Sequence, residues 1–88
     1  MFVPDEMKLR YFERRKRDLD ECVQHLKSGD LTFIEKVGHQ LKGNGDTFGY
    51  PELADIGKEL EEAARVGDLQ IAAKAVNKFS DWVNTQIS

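Results

Sequence analysis

The sequence predicts an all-α protein, an antiparallel four-helix bundle whose helices run up, down, up and down. Apolar residues recur at spacings of three and four along four successive stretches, which is the pattern of amphipathic helices. No stretch alternates with the period of two that is typical of a half-buried strand. Only a few residues separate the stretches, and such short connections join antiparallel neighbours.

The first helix is predicted to begin near Pro4, because proline is tolerated at the first helical position. Asp5 and Glu6 follow it, where the helix dipole favours acidic side chains. The helix is expected to end at Ser28 and Gly29, since glycine suits a left-handed cap. Its predicted inward-facing row consists of Lys8, Phe12, Leu19, Cys22, Val23 and Leu26, interrupted by Arg15.

The second helix is predicted to begin after Asp30, whose carboxylate is a good N-cap. It is expected to run to about Phe48, where Gly49 ends it. Its predicted buried row consists of Ile34, Val37, Leu41 and Phe48.

The third helix is predicted to open at Pro51 and to end at Gly67. Asp68 then caps the fourth helix. The predicted apolar rows are Leu53, Ile56, Gly57, Leu60, Ala63 and Ala64 in the third helix, and Leu69, Ala72, Val76, Phe79, Val83 and Ile87 in the fourth, with Trp82 at the margin.

Length and charge predict a single domain over residues 1–88 and exclude some functions. The 88 residues are 40% hydrophobic and 33% charged, which is typical of a soluble helical protein. The net charge of −3 argues against nucleic-acid binding. A basic run in the first helix is interpreted as a solvated face, with a docking patch for an acidic partner as the alternative. This run consists of Arg10, Arg14, Arg15, Lys16 and Arg17.

The only cysteine, Cys22, lies in the apolar row of the first helix, so we expect a buried, reduced thiol. No signal-peptide pattern precedes the first helix, and no apolar run approaches the roughly 20 residues that cross a membrane. The sequence therefore predicts a cytoplasmic protein that does not bind membranes.

The stretch from Val37 to Gly49 contains the candidate functional residues. His39 lies roughly 160° around the helix from the centre of the apolar row, so its ring is expected to face water. Gly43 follows one turn later, and because helical side chains lean toward the N-terminus, its missing side chain leaves space beside the ring. Gly45 lies near the buried row, which indicates close packing against a neighbouring helix.

Polar residues surround the predicted position of the ring. Lys42 places an ammonium group within reach of any negatively charged group that the imidazole carries. Glu35, one turn before the histidine, is a candidate acceptor for a hydrogen bond from Nδ1, with an exposed helix carboxylate as the alternative. Asp46 falls on the same part of the helix as the ring, and Gln40 lies beside the histidine in sequence; both are candidate binding residues of a docking surface.

Five of these positions form a recognisable motif. His39, Lys42, Gly43, Phe48 and Gly49 match H-x-x-K-G-x-x-x-x-F-G, and over nearly its whole length the chain resembles histidine-containing phosphotransfer (HPt) domains. These domains are four-helix bundles. The resemblance implies that His39 accepts a phosphoryl group at Nε2 from a receiver-domain aspartate or a kinase, and passes it to the aspartate of a response-regulator receiver.

The resemblance also implies a phosphoryl carrier rather than an enzyme with its own kinase activity. We expect a monomer that binds no cofactor, with Mg²⁺ held by the partner receiver domain. The implied partners are a response-regulator receiver domain and a sensor or hybrid histidine kinase.

Two other functions are compatible with the sequence. One is a noncatalytic HPt-like adaptor that binds a receiver or kinase without being phosphorylated. The other is the phosphoryl-accepting domain of a chemotaxis-type kinase, cut from a longer chain. The second histidine, His25, is interpreted as a boundary residue, since a metal site joining it to His39 lacks acid or thiol ligands at recognisable spacing.

Overall fold

The computed structural model describes residues 4–87 and contains four helices. They are α1 (Asp5–Ser28), α2 (Leu31–Asn44), α3 (Pro51–Val66) and α4 (Leu69–Ile87). Helix α1 packs on α2 and α4, and α3 packs on the same two helices, which closes a four-helix bundle. The described residues contain no strand, so the predicted all-α bundle is confirmed. None of the helices in the described part of the chain is long and apolar enough to span a membrane.

The predicted helix boundaries between α1 and α2 and between α3 and α4 are confirmed. Gly29 and Gly67 end α1 and α3 in the left-handed conformation, with φ of 77° and 78°. The carboxylate of Asp30 accepts a hydrogen bond from the backbone N–H of Thr32 at 3.0 Å. Asp68 caps α4 in the same way, because its Oδ1 accepts from two backbone N–H groups of the first turn at 2.9 and 3.1 Å.

The second helix is shorter than the sequence predicts, because it ends at Asn44 rather than near Phe48. Residues 45–49 form a tight turn in which Gly49 has φ of 87°. The N–H of Tyr50 donates to the carbonyl of Gly45 at 2.9 Å, which closes this turn. Gly49 thus ends the turn that follows the helix and directs the chain into α3.

The core is built from the inward faces of all four helices. Its fully buried large side chains include Ile34, Leu41, Leu53, Leu60 and Phe79. Trp82, predicted at the margin, is buried, whereas Leu69 in the first turn of α4 is about half exposed. The predicted inward position of Leu69 is therefore wrong, and the side chain of Ile87 lies outside what the structure describes.

One member of the basic run is buried, so the interpretation of that whole run as a solvated face is wrong. Arg15 forms an ion pair with Asp18 at 2.9 Å, and its guanidinium lies 4.7 Å from the ring centroid of Tyr11. Burial raises the pKa of Asp18 even though Arg15 opposes this effect. Arg15 therefore lies within the apolar row and packs on the ring of Tyr11. Tyr11 is itself a core residue, which the sequence pattern did not identify.

Three glycines allow α2 and α3 to approach backbone to backbone. A Cβ atom on Gly38 would lie 2.5 Å from the backbone N of Glu61, and one on Gly57 would lie 2.5 Å from that of Lys42. A Cβ on Gly45 would lie 2.7 Å from the N of Ala54, which confirms the predicted close packing there. This approach places the middle of α3 directly against the helix that carries His39.

Candidate functional site

His39 projects from α2 into solvent, with 70% of its side chain exposed. The buried residues of the same helix, Ile34, Val37 and Leu41, face the core. The ring therefore has the outward placement that the helical pattern predicts.

One ring nitrogen of His39 contacts a buried carboxylate of α3. Nδ1 lies 2.8 Å from Oε2 of Glu61, whose side chain is only 3% exposed. An ionised carboxylate can only accept, so Nδ1 donates its hydrogen to Glu61. The neutral ring then has the Nε2 lone pair free, and this nitrogen is the one available for nucleophilic attack.

Besides the ring of His39, Glu61 contacts two cationic side chains. Its Oε1 lies 2.7 Å from Nζ of Lys42, while its Oε2 lies 3.3 Å from a guanidinium nitrogen of Arg65. Hydrogen bonds from Lys42 and then His39 lower the pKa of Glu61. The carboxylate is thus ionised at neutral pH, and its donors offset the cost of burying its charge.

The structure assigns the acceptor of the Nδ1 hydrogen bond to Glu61 rather than to Glu35. The Oε2 atom of Glu35 instead accepts a hydrogen bond from Nε of Arg65 at 3.1 Å. Glu35 is therefore a partly exposed helix carboxylate paired with Arg65, which is the alternative that the sequence left open, and it is not the acceptor of the Nδ1 hydrogen bond.

The sequence pattern missed Glu61 because its position depends on how α3 packs on α2. One signal was present, since Glu61 follows Gly57 by four residues and lies in the mostly apolar row of α3. A carboxylate at such a position is rarely buried without partners. Two of its partners, His39 and Lys42, come from α2, and His39 is 22 residues away in the chain.

Gly43 leaves open space on the exposed face of α2. A Cβ built there would meet no atom within 4 Å, in contrast to the crowded Gly38 and Gly45 of the same segment. Its role in partner clearance stays a prediction. The other two candidate binding residues are separated, since Gln40 lines a shallow groove beside His39 and Asp46 lies exposed in the turn after α2.

Phe48 of the motif anchors the end of α2 on α1. Its ring stacks on Tyr11 with centroids 4.3 Å apart and planes 9° from parallel. The hydroxyl of Tyr11 donates to Oδ1 of Asn44 at 2.6 Å. These contacts hold the last turn of α2, and with it the site, in a defined place on the bundle.

The remaining candidate groups lie apart from this site. His25 stacks on Phe33 with centroids 4.4 Å apart, at the contact between α1 and α2. Burial raises the pKa of Cys22 to about 12, so its thiol is protonated and unreactive at neutral pH. Within residues 4–87 there is no cluster of three or more side chains that would hold a metal ion.

Comparison with known proteins agrees with this geometry. A family model described as Hpt domain matches residues 6–87, nearly the whole chain. Searches of curated proteins and of solved structures give no match. Because the family model covers nearly the whole chain, and the chain presents an exposed imidazole on a four-helix bundle, it belongs to the Hpt domain family. These domains are phosphocarrier modules that act in histidine phosphotransfer within phosphorelays.

Proposed function

We propose that this protein is an intermediate of a multistep phosphorelay and carries the phosphoryl group on Nε2 of His39. The group arrives from the aspartyl phosphate of a receiver domain, or from a kinase, and leaves for the aspartate of a response-regulator receiver. One observation carries the proposal: Nδ1 of His39 is hydrogen-bonded to Glu61 at 2.8 Å, while most of the ring is exposed to solvent.

The transfer step needs a lone pair on Nε2 and a good leaving group on phosphorus. The lone pair attacks the phosphorus atom, an N–P bond forms, and the P–O bond to the aspartyl carboxylate breaks and releases that carboxylate. The ring keeps its hydrogen on Nδ1, where the Glu61 carboxylate stabilises the positive charge that develops. The same steps in reverse deliver the phosphoryl group to the next receiver.

Lys42 supplies charge compensation for the phosphoryl oxygens. Its ammonium group is bound to Glu61 at 2.7 Å in the unphosphorylated protein, one turn from His39 on the same helix. A flexible four-carbon chain allows that group to turn toward an incoming phosphoryl group. Phosphoryl transfer depends mostly on such positioning and charge stabilisation, and Mg²⁺ held in the aspartate pocket of the receiver supplies the remainder.

Phosphoryl transfer from a phosphorylated receiver domain tests this proposal. We expect acid-labile, base-stable phosphate on the wild-type protein and none on His39→Gln. His25→Gln is the matched control because it removes the only other histidine and leaves the exposed ring in place. A wild-type protein that binds the receiver and stays unlabelled would instead identify a noncatalytic adaptor.

A further inference from the structure

Arg65 lies outside the sequence motif, yet it contacts both carboxylates near His39. Its Nε donates to Oε2 of Glu35 on α2 at 3.1 Å, and a terminal nitrogen donates to Oε2 of Glu61 on α3 at 3.3 Å. The planar guanidinium thus ties the two helices together directly beside the imidazole.

The two oxygens of Glu61 have different partners. Among residues 4–87, Oε1 binds only Lys42, whereas Oε2 binds both Nδ1 of His39 and Arg65. Departure of the lysine therefore frees one oxygen and leaves the contact with the ring in place. The charge-assisted hydrogen bond from Arg65 to Oε2 leaves the carboxylate with a cationic partner after the lysine has moved.

We propose that Arg65 is a positioning residue for His39, and this inference rests on the proposed phosphotransfer function. Arg65, anchored by Glu35, holds Oε2 of Glu61 against Nδ1–H, so that Nε2 is kept as the unprotonated nitrogen. Lys42 is then free to move to the phosphoryl oxygens without releasing the ring. The two cations that bind Glu61 thus have different roles. Lys42 binds the phosphoryl group, and Arg65 orients the imidazole.

The proposal is tested on the unphosphorylated full chain by measuring the tautomer of His39. Nitrogen-15 chemical shifts of the neutral imidazole give the ratio of the Nδ1–H form to the Nε2–H form. We expect mainly the Nδ1–H form in the wild type. Arg65→Gln is expected to lower the ratio about two- to fivefold, the size associated with losing one partly exposed ion pair.

Glu35→Gln is the second variant, because it removes the anchor of Arg65 without touching the histidine. A similar fall in the tautomer ratio is expected. Lys78→Gln is the matched control, since it breaks the pair between Lys78 on α4 and Glu59 on α3. That pair is 2.9 Å long with side chains 61% and 46% exposed, against 3.1 Å, 60% and 40% for Arg65 and Glu35.

The two proposals fail in different ways. An unchanged tautomer ratio in Arg65→Gln and Glu35→Gln, or an equal fall in Lys78→Gln, overturns the positioning role even if His39 is phosphorylated normally. Absence of label on the wild type overturns the proposed function and leaves the tautomer measurement intact. With both correct, Arg65→Gln also slows labelling by up to about tenfold, while Lys78→Gln does not.

Discussion

At the scale of single residues, the site depends on one buried carboxylate. Glu61 accepts the hydrogen bond from Nδ1 and thereby orients the ring. It also binds Lys42 and Arg65, which places two cations beside the ring. A histidine with the same exposure but no such partner would present either nitrogen to solvent. A residue on a different helix therefore selects Nε2 as the unprotonated nitrogen.

Glu61→Gln tests the electrostatic role of this carboxylate through the pH dependence of stability. Its cationic neighbours lower its pKa in the folded protein, below the value of about 4.3 expected for an unfolded chain. The stabilisation is complete above that unfolded pKa and is lost as the pH falls through the lower folded pKa. We expect wild type to be more stable than Glu61→Gln at neutral pH, with a difference that shrinks in acid.

Urea unfolding of both proteins from neutral pH down to about pH 3 gives this difference directly. Glu59→Gln is the control, because Glu59 pairs with Lys78 at the surface, away from His39. A stability difference between wild type and Glu61→Gln that stays constant over the whole range would contradict the electrostatic explanation.

Lys42→Ala is expected to slow phosphoryl transfer more than it weakens receiver binding, because its ammonium group acts on charge that builds up during the step. Single-turnover labelling rates and binding constants for the same receiver separate the two effects. Lys36→Ala, which removes a positive charge from the exposed face of α2, controls for general charge effects. Equal losses of binding and rate in Lys42→Ala would place the lysine in docking instead.

At the scale of helices, the close contact of α2 and α3 is what brings Glu61 to the histidine. Gly38 and Gly57 face each other's helix, and neither position has room for a methyl group. Larger residues there would separate the helix axes and move the carboxylate away from the ring. We therefore expect opposite tasks for the two glycines of α2: Gly38 permits packing, and Gly43 is predicted to clear the surface for a partner.

Alanine substitutions are expected to separate these two tasks. Gly38→Ala should destabilise the protein by about 1–3 kcal/mol, because the new Cβ overlaps the backbone of α3. Gly43→Ala should stabilise it by up to about 1 kcal/mol, since alanine favours the helix and meets open space. Chemical denaturation measures both, and a loss of stability in Gly43→Ala would contradict the open placement of this glycine.

Gly43→Leu should fold as stably as the wild type and transfer phosphate more slowly, because a branched side chain there leans toward His39 and obstructs the partner. Thermal unfolding and labelling rates measure the two effects on one sample. Gly43→Ala is the matched control, with a smaller side chain and a correspondingly smaller effect on the rate. Normal transfer by Gly43→Leu would remove clearance as the reason for the glycine.

At the scale of the whole molecule, a cluster of aromatic side chains stabilises the bundle away from the surface that carries His39. The ring of Tyr11 stacks on those of Phe48 and Tyr50, and Tyr50 meets Trp82 edge to face with centroids 5.2 Å apart. This aromatic cluster joins α1, the turn after α2 and α4. These contacts hold the core together, while α2 keeps His39 exposed.

The buried pair of Arg15 and Asp18 gives a prediction at this scale. Arg15→Met is expected to destabilise the protein by about 3 kcal/mol, because it leaves the carboxylate buried without its cation. The double variant Arg15→Met, Asp18→Leu should recover most of this loss. Urea denaturation measures the stability, and labelling of His39 should be unaffected in the double variant. A double variant no more stable than Arg15→Met would contradict the pairing.

The sequence by itself determined the four helices, their glycine and aspartate boundaries and the shared face of His39, Lys42 and Gly43. These features depend on neighbours a few residues apart, where helix geometry alone decides which side chains meet. It placed the end of α2 four residues too late, because the turn that follows is closed by the bond between Tyr50 and Gly45.

The tertiary structure alone decided which group orients the imidazole. Glu61 reaches the ring, and Arg65 reaches Glu35 on α2, only because small residues let α3 lie against the backbone of α2. The crossing of two helices depends on the packing of the entire core, and no local pattern encodes it. For the same reason Arg15, charged in sequence and buried in the bundle, could be placed only once its neighbours were known.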